Sequence, residues 1–260
     1  MESASGISPR SRARLAGLFQ ALEGFPAAFG QVVVIGTLVS SGDPAVTAHN
    51  ILANETLYRL GFLIPLAAVG FHIMWTLLMY QLFVPVNRTI ALLATFVMLV
   101  GCAIQALAAL VYLAPLVILQ PASSLSNFDT SQLQSLALVF ANLSTATFQV
   151  YLIFFGLWCV LTGYLIFKST FLPRILGALL VLDGVAWMTF LWAPFAIAIY
   201  PAIEAVSAVA EIPLLLWFVI YGVNNQKWYE QARGQGEDIR LHDVAPQPLR
   251  RTPDGSGVLL

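Results

Sequence analysis

The sequence predicts an all-α protein, a polytopic transmembrane helix bundle of about six spans with both termini in the cytoplasm. Hydrophobic residues make up 59% of the chain and charged residues only 10%, whereas soluble domains carry about 25% charged residues. No Asp, Glu, Lys or Arg occurs from Leu60 to Asn87, from Thr89 to Phe128 or from Thr130 to Phe167. Each stretch exceeds the about 20 apolar residues that cross a bilayer, so a water-soluble fold is excluded.

The predicted spans are separated by polar turns that contain proline, glycine or charge. The first apolar segment contains Glu23 and is longer than the apolar part of a signal peptide, so we expect a retained helix. Pro85 is expected to end the second span. The approximate bounds of the spans are Arg14–Val39, Tyr58–Phe83, Ile90–Val117, Gln132–Ile166, Arg174–Pro194 and Pro201–Val223.

These spans divide the chain into three regions. Residues 1–13 form a cytoplasmic N-terminal segment, residues 14–223 form the transmembrane domain, and the polar residues 224–260 are predicted to be a disordered cytoplasmic tail. Of the 12 basic residues, all but Arg59 fall on one side of the membrane in this arrangement. Because basic residues are enriched on the cytoplasmic side, that side is predicted to hold both termini.

Four ionisable side chains are predicted to lie in one central layer of the membrane: Glu23, His72, Asp183 and Glu211. At a rise of about 1.5 Å per residue, Glu23 and Asp183 lie about 14 Å from the basic ends of their helices. His72 and Glu211 lie about 20 Å from theirs. A charge at the bilayer centre costs at least about 2.5–3.5 kcal/mol. We therefore expect the acids to face the bundle interior, with at least one of them protonated at neutral pH. These four residues are the candidates for ligand binding or proton exchange.

Further polar and aromatic residues could support this layer, namely Gln105, Gln149, Trp187 and Glu204. The last of these lies seven residues before Glu211 and therefore shares its helix face. Glycines also recur at seven-residue spacing, as Gly156 with Gly163 and Gly177 with Gly184, which predicts close helix approach. The two cysteines, Cys102 and Cys159, are predicted to be free thiols inside the bundle.

Several functions are disfavoured by the sequence. It contains no phosphate-binding Walker loop, no dinucleotide-binding glycine turn and no zinc-protease helix. No basic face remains for nucleic acid once the helices are placed. We expect no metal and no cofactor, and the sequence assigns no catalytic residue. The expected partners are the lipid bilayer and a small lipophilic or cationic ligand.

Short motifs spread along the chain resemble those of one family. They are Ser8-Pro9-Arg10, the run from Ala53 to Gly61, Pro85-Val86-Asn87-Arg88-Thr89, Phe154-Phe155-Gly156-Leu157, Gly163-Tyr164-Leu165 with the run from Leu172 to Gly177, and the region around Glu211. Together they resemble the bacterial membrane proteins of domain-of-unknown-function family four-three-eight-six, over about residues 8–224. The resemblance implies a multi-pass protein of the bacterial cell (inner) membrane and implies no reaction. A histidine is common in that family where this chain has Trp158, so no role can be built on a histidine in the fourth span.

Three functions remain open from the sequence. The first is binding or transport of a small lipophilic or cationic molecule through the central acidic and histidine layer. The second is an intramembrane enzyme that uses Asp183 or Glu211 as a protonated acid on a lipid or isoprenoid. The third is a structural or assembly protein whose acids only join helices.

Overall fold

The computed structural model of the chain describes residues 7–28, 34–40, 42–120 and 127–244. Within these ranges every regular element is a helix, which confirms the predicted all-α class. In chain order the helices are α1 (Pro9–Ala28), α2 (Gly36–Leu38), α3 (Pro44–Ala53), α4 (Glu55–Phe83), α5 (Arg88–Leu119), α6 (Thr130–Lys168), α7 (Arg174–Met188), a 3-10 turn (Thr189–Trp192), α8 (Ala193–Ala198), α9 (Tyr200–Ile220) and α10 (Asn225–Val244).

Five helical segments of the described chain are long and apolar enough to cross a membrane: Glu55–Phe83, Arg88–Leu119, Thr130–Lys168, Arg174–Ala198 and Tyr200–Ile220. They make the chain a multi-pass membrane protein. The predicted first span stays a prediction, because α1 ends at Ala28 and residues 29–33 of that span lie outside the described residues.

Polar caps set the starts of the two longest helices. At the start of α5, Asn87 Oδ1 accepts a hydrogen bond from the Ile90 N–H at 3.0 Å. At the start of α6, Asp129 Oδ1 accepts from the Gln132 N–H at 2.8 Å, and Gln132 Oε1 accepts from the Asp129 N–H at 3.0 Å. This reciprocal capping box satisfies two backbone donors that the helix leaves free. The bonds from Gln132 and Ser131 favour the ionised carboxyl and lower the pKa of Asp129 below its usual value.

Six helices close into a ring around the core. In order, α1 packs against α4, α4 against α5, α5 against α6, α6 against α7, α7 against α9, and α9 against α1. The inside of the ring is filled by large side chains that are almost fully buried, among them Trp75, Trp158, Phe83 and Phe218. Large apolar side chains also cover the outside of the ring. Helices that are apolar on every side are typical of membrane spans, whose outer faces contact lipid.

The basic residues gather at one end of this ring. There Arg14 Nη2 donates a hydrogen bond to the Ile220 carbonyl at 2.8 Å, which holds the start of α1 against the end of α9. Trp228 Nε1 donates to the Leu82 carbonyl at 2.9 Å and joins α10 to the end of α4. Arg59, by contrast, lies near the start of α4, at the other end. We call the end where most basic residues gather the basic end. That this end faces the cytoplasm stays a prediction.

The polar tail differs from the prediction. Its composition predicted disorder from residue 224 onward, yet Asn225–Val244 form helix α10. Trp228 anchors this helix to α4, and Gln231 Oε1 accepts a hydrogen bond from the Thr170 N–H at 3.0 Å. Tertiary contacts therefore order a segment whose composition alone favours disorder. Residues 245–260 lie outside the described part of the chain.

The fifth predicted span is not a single helix. Helix α7 ends at Met188, and the chain continues through the 3-10 turn Thr189–Trp192 into α8. Pro194 lies in the first turn of α8 instead of at the end of the preceding helix. Proline is well tolerated there, because the backbone N–H that it lacks would have no helical partner.

Helices α6 and α7 cross at two glycine pairs. A Cβ atom added to Gly156 would lie 2.6 Å from the Gly184 carbonyl oxygen, and one added to Gly163 would lie 2.7 Å from the Gly177 carbonyl oxygen. The seven-residue spacing predicted this close approach. Because Gly184 directly follows Asp183, the crossing also sets how that acid lies against α6.

We expect Gly184→Ala to destabilise the protein, because the new methyl group has no room between the two backbones. Overpacking of this kind costs about 1–3 kcal/mol. The matched control is Gly70→Ala on α4, where an added Cβ meets no atom within 4 Å. Thermal unfolding of the detergent-solubilised variants should show a lower midpoint for Gly184→Ala alone. Equal midpoints would contradict the close crossing.

Candidate functional site

The four predicted residues come from four helices of the ring and form two neighbouring pairs. Glu23 of α1 faces His72 of α4, while Asp183 of α7 lies close to Glu211 of α9. Glu211 is also within electrostatic range of Glu23, which links the two pairs. The sequence predicted the common depth of these side chains, and the structure adds which of them are neighbours. We call these four residues the central cluster.

His72 is held in an aromatic box beside an acid. Its Nδ1 lies 3.4 Å from Glu23 Oε1, and neither ring nitrogen makes a hydrogen bond in the described part of the chain. The imidazole centroid lies 5.1 Å from that of Trp75, and the rings of Tyr151 and Phe155 meet it edge-on at 6.2 and 6.3 Å. A protonated imidazole would be attracted both to the carboxylate and to the aromatic rings. His72 is therefore fully buried between one carboxyl group and three aromatic rings.

Asp183 is fully buried and poorly satisfied. The thiol of Cys159, the indole of Trp187 and the hydroxyl of Ser207 lie around its carboxyl group. Even so, within the described chain neither carboxyl oxygen has a hydrogen bond of acceptable distance and angle. An unsatisfied buried polar group costs about 1–3 kcal/mol. The fold therefore keeps this acid at the expense of stability.

Ser207 connects the second pair of acids. Its Oγ donates a hydrogen bond of 2.6 Å to Glu211 Oε1, and it also borders Asp183. Two carboxylates this close repel each other, so a proton or a cation between them is favoured. Ser207 was not predicted from the sequence, although its position four residues before Glu211 puts both on one helix face. It also treated Cys159 only as a core thiol.

A groove runs between α1 and α9 beside the central cluster. Its volume is about 300 Å³, and it is open to the outer surface of the ring. Glu23, Glu204 and Glu211 line it together with Gln20, and among the described residues no lysine or arginine does. Gln20 is only 5% exposed, and its Oε1 atom has no hydrogen-bond partner among the described residues. We call this cavity the α1/α9 groove.

The supporting residues fall into two groups. Trp187 borders Asp183, and Glu204 lines the α1/α9 groove with Glu211. Gln105 is buried on α5 with an unpartnered Oε1, and Gln149 is half-buried on α6. Within the described ranges no hydrogen bond joins either of these two amides to the central cluster. Only the first group therefore belongs to the candidate site.

A larger cavity, of about 420 Å³, lies at the basic end between α9 and α10. Arg10 is the charged side chain that lines it, next to Trp217 and Tyr221. The Arg10 Nε already donates to the Tyr221 carbonyl at 3.1 Å. None of the four central residues lines this cavity, so we do not assign it to the site.

Metal chemistry receives no support from the arrangement of side chains. Across the part of the chain that the structure describes, no three His, Cys, Asp or Glu side chains are grouped as a metal ion requires. The Glu23–His72 pair offers two ligands, whereas a structural zinc site needs four.

The ring of long apolar helices defines a multi-pass α-helical membrane protein. Comparison with known protein families identifies the family of the chain. The model of a family described as a domain of unknown function, DUF4386, matches residues 15–222, and the chain belongs to this family. No curated protein and no solved structure matches the chain.

Proposed function

We propose that this protein binds or transports a small lipophilic or cationic molecule through the central cluster, in the inner membrane of a bacterium. The observation that carries the proposal is the α1/α9 groove. It presents three carboxyl groups and a buried amide oxygen, and among the described residues no lysine or arginine lines it. A site of this composition favours a ligand that brings positive charge or hydrogen-bond donors.

Simple helix association explains the central cluster less well. Polar side chains that join helices in membranes do so through hydrogen bonds between them. Asp183 makes no such bond despite complete burial, and both nitrogens of His72 also lack one in the described chain. Buried groups left in this condition are typical of functional sites, where stability is given up for activity.

The enzymatic alternative is less well supported. A general acid must come within hydrogen-bond reach of the reacting atom or act through a water molecule. Asp183 is fully buried and does not line the α1/α9 groove, so a ligand in that groove would not meet it directly. Glu211 does line the groove, and its position suits binding and proton exchange equally well.

The proposal predicts that a small molecule co-purifies with the protein and depends on the central acids. The experiment is untargeted mass spectrometry of nanodisc-extracted wild type and of the Asp183→Asn/Glu211→Gln double variant. The matched control is Asp43→Asn/Glu55→Gln, which also converts two carboxyls to amides but changes residues near the starts of α3 and α4.

We expect one species to be enriched in the wild type and the control and to be absent from the central double variant. Equal recovery from all three proteins would contradict the proposal. If only bulk lipid is found in every sample, the acids hold no tightly bound ligand and the structural alternative gains support.

A further inference from the structure

The α1/α9 groove opens on the outer surface of the ring, which is the surface that contacts lipid. We infer that it admits its ligand sideways from the bilayer, and that this ligand is a lipophilic ammonium ion carrying at least one N–H group. The inference rests on the proposed function and names the ligand class and the route of entry.

The route follows from where the groove lies. It is bounded by α1 and α9, with Glu23 and Gln20 on one wall and Glu211 on the other. At the depth estimated from helix rise, about 9 Å from the basic end for Gln20 and about 14–20 Å for the two acids, these groups are level with the hydrocarbon core. A molecule dissolved in the bilayer can therefore reach the acids without crossing the ring of helices.

The polar atoms of the groove select for a hydrogen-bond donor. Its walls present carboxyl oxygens from Glu23 and Glu211 and the unpartnered Oε1 of Gln20, which is nine-tenths buried or more. These atoms all accept hydrogen bonds. An ammonium group with N–H bonds satisfies them, whereas a quaternary ammonium of equal charge cannot.

The charge of the groove selects for a cation over an anion. His72 faces Glu23 from inside the ring and offsets that acid when protonated. Glu204 and Glu211 remain, and Asp183 adds to them from behind Ser207. A fatty acid would bring a further carboxylate into this field and would be repelled.

Apolar side chains at the mouth of the groove suit the body of the ligand. Phe25 on α1 is 74% exposed and Ile212 on α9 is 52% exposed, and both line the groove together with Leu215. An alkyl chain lying along them would keep contact with both protein and lipid. The ligand is thus expected to be amphiphilic, with its charged end inward.

The experiment measures equilibrium binding of radiolabelled dodecylammonium to the protein in phosphatidylcholine nanodiscs, with empty nanodiscs subtracted. Ala208→Trp fills the groove from α9, and Ile212→Trp does the same from its mouth. The matched control is Val209→Trp, which adds the same indole to an exposed α9 position that does not line the groove.

We expect the two groove variants to bind at least about tenfold more weakly than wild type, and Val209→Trp to bind within about twofold of it. Dodecyltrimethylammonium should bind the wild type at least about tenfold more weakly than dodecylammonium, and dodecanoate should not bind. The thermal unfolding midpoints of the variants identify any variant that fails to fold. If Ala208→Trp does not fold, Ile212→Trp alone tests the groove.

Each contrary result overturns a different part of the proposed binding mode. If both groove variants bind like wild type while Asp183→Asn/Glu211→Gln does not bind, the central cluster stands and the lateral route is overturned. Equal binding of the quaternary ion overturns the N–H requirement, and binding of dodecanoate overturns the choice of a cation. If dodecylammonium does not bind wild type at all, the ligand class is overturned, and co-purification decides the proposed function separately.

Discussion

Asp183→Leu is expected to make the protein more stable and to weaken ligand binding, because it removes a carboxyl group that lies behind Ser207 and adds to the negative charge beside the groove. Leucine has the same number of side-chain heavy atoms as aspartate and branches at the same carbon. It removes a fully buried carboxyl group whose oxygens have no hydrogen-bond partner in the described chain. Removing an unsatisfied buried polar group is worth about 1–3 kcal/mol. The thermal unfolding midpoint should therefore rise while dodecylammonium binds more weakly.

The control for this prediction is Asp183→Asn, which keeps the shape and polarity of the side chain. It should weaken binding without the gain in stability, because an amide in the same place is equally poorly satisfied. A lower midpoint for Asp183→Leu than for wild type would show that the carboxyl stabilises the fold. The structural alternative predicts that result, since an acid that joins helices cannot be removed without cost.

Glu211→Gln is expected to weaken dodecylammonium binding by about ten- to a hundredfold, because it removes a hydrogen bond to a charged group worth about 1.5–3 kcal/mol. It should also flatten the pH dependence of binding. In the wild type a proton and the ligand compete for the central carboxyls, so affinity should rise with pH.

The measurement for this second prediction is dodecylammonium affinity at intervals across about pH 5–8, where a histidine titrates. Glu204→Gln is the matched control, because Glu204 also lines the groove but is exposed and makes no hydrogen bond to Ser207. It should lower affinity only slightly and keep the pH dependence. A wild-type affinity that is uniform over this range would contradict proton competition.

The common depth of the central residues could be predicted from the sequence, but which of them are neighbours could not. A helix rises by a constant amount per residue, so counting from the basic turns places Glu23, His72, Asp183 and Glu211 in one layer. The rotation of each helix depends on how all the spans pack together. That is why the His72–Glu23 and Asp183–Glu211 neighbours emerge only from the structure.

Residues without charge were harder to find than the acids. A carboxyl group in an apolar run is conspicuous because its burial is costly. Ser207, Cys159 and Gln20 carry no such cost, so nothing in the sequence set them apart from packing residues. Each belongs to the site because of what it contacts. Ser207 bonds to Glu211, Cys159 borders Asp183, and Gln20 lines the groove.

Helix α10 could not be predicted from the sequence for a different reason. The chain after Asn224 is polar and lacks an apolar stripe, which is typical of disorder. Its order comes from particular contacts, the Trp228 indole with the Leu82 carbonyl and the Gln231 amide with Thr170. Such contacts depend on the positions of the α4 end and of the turn between α6 and α7, which local composition does not encode.

The claim that the central acids exchange a proton for a cation is tested most directly by counting protons. Dodecylammonium is added to the wild-type protein in weakly buffered nanodiscs at neutral pH, and a pH indicator reports the protons released. Because the ligand stays charged throughout, the proton must come from the protein. We expect about one proton per bound ligand from the wild type, and none from Asp183→Asn/Glu211→Gln. Binding by the wild type without proton release would contradict the account.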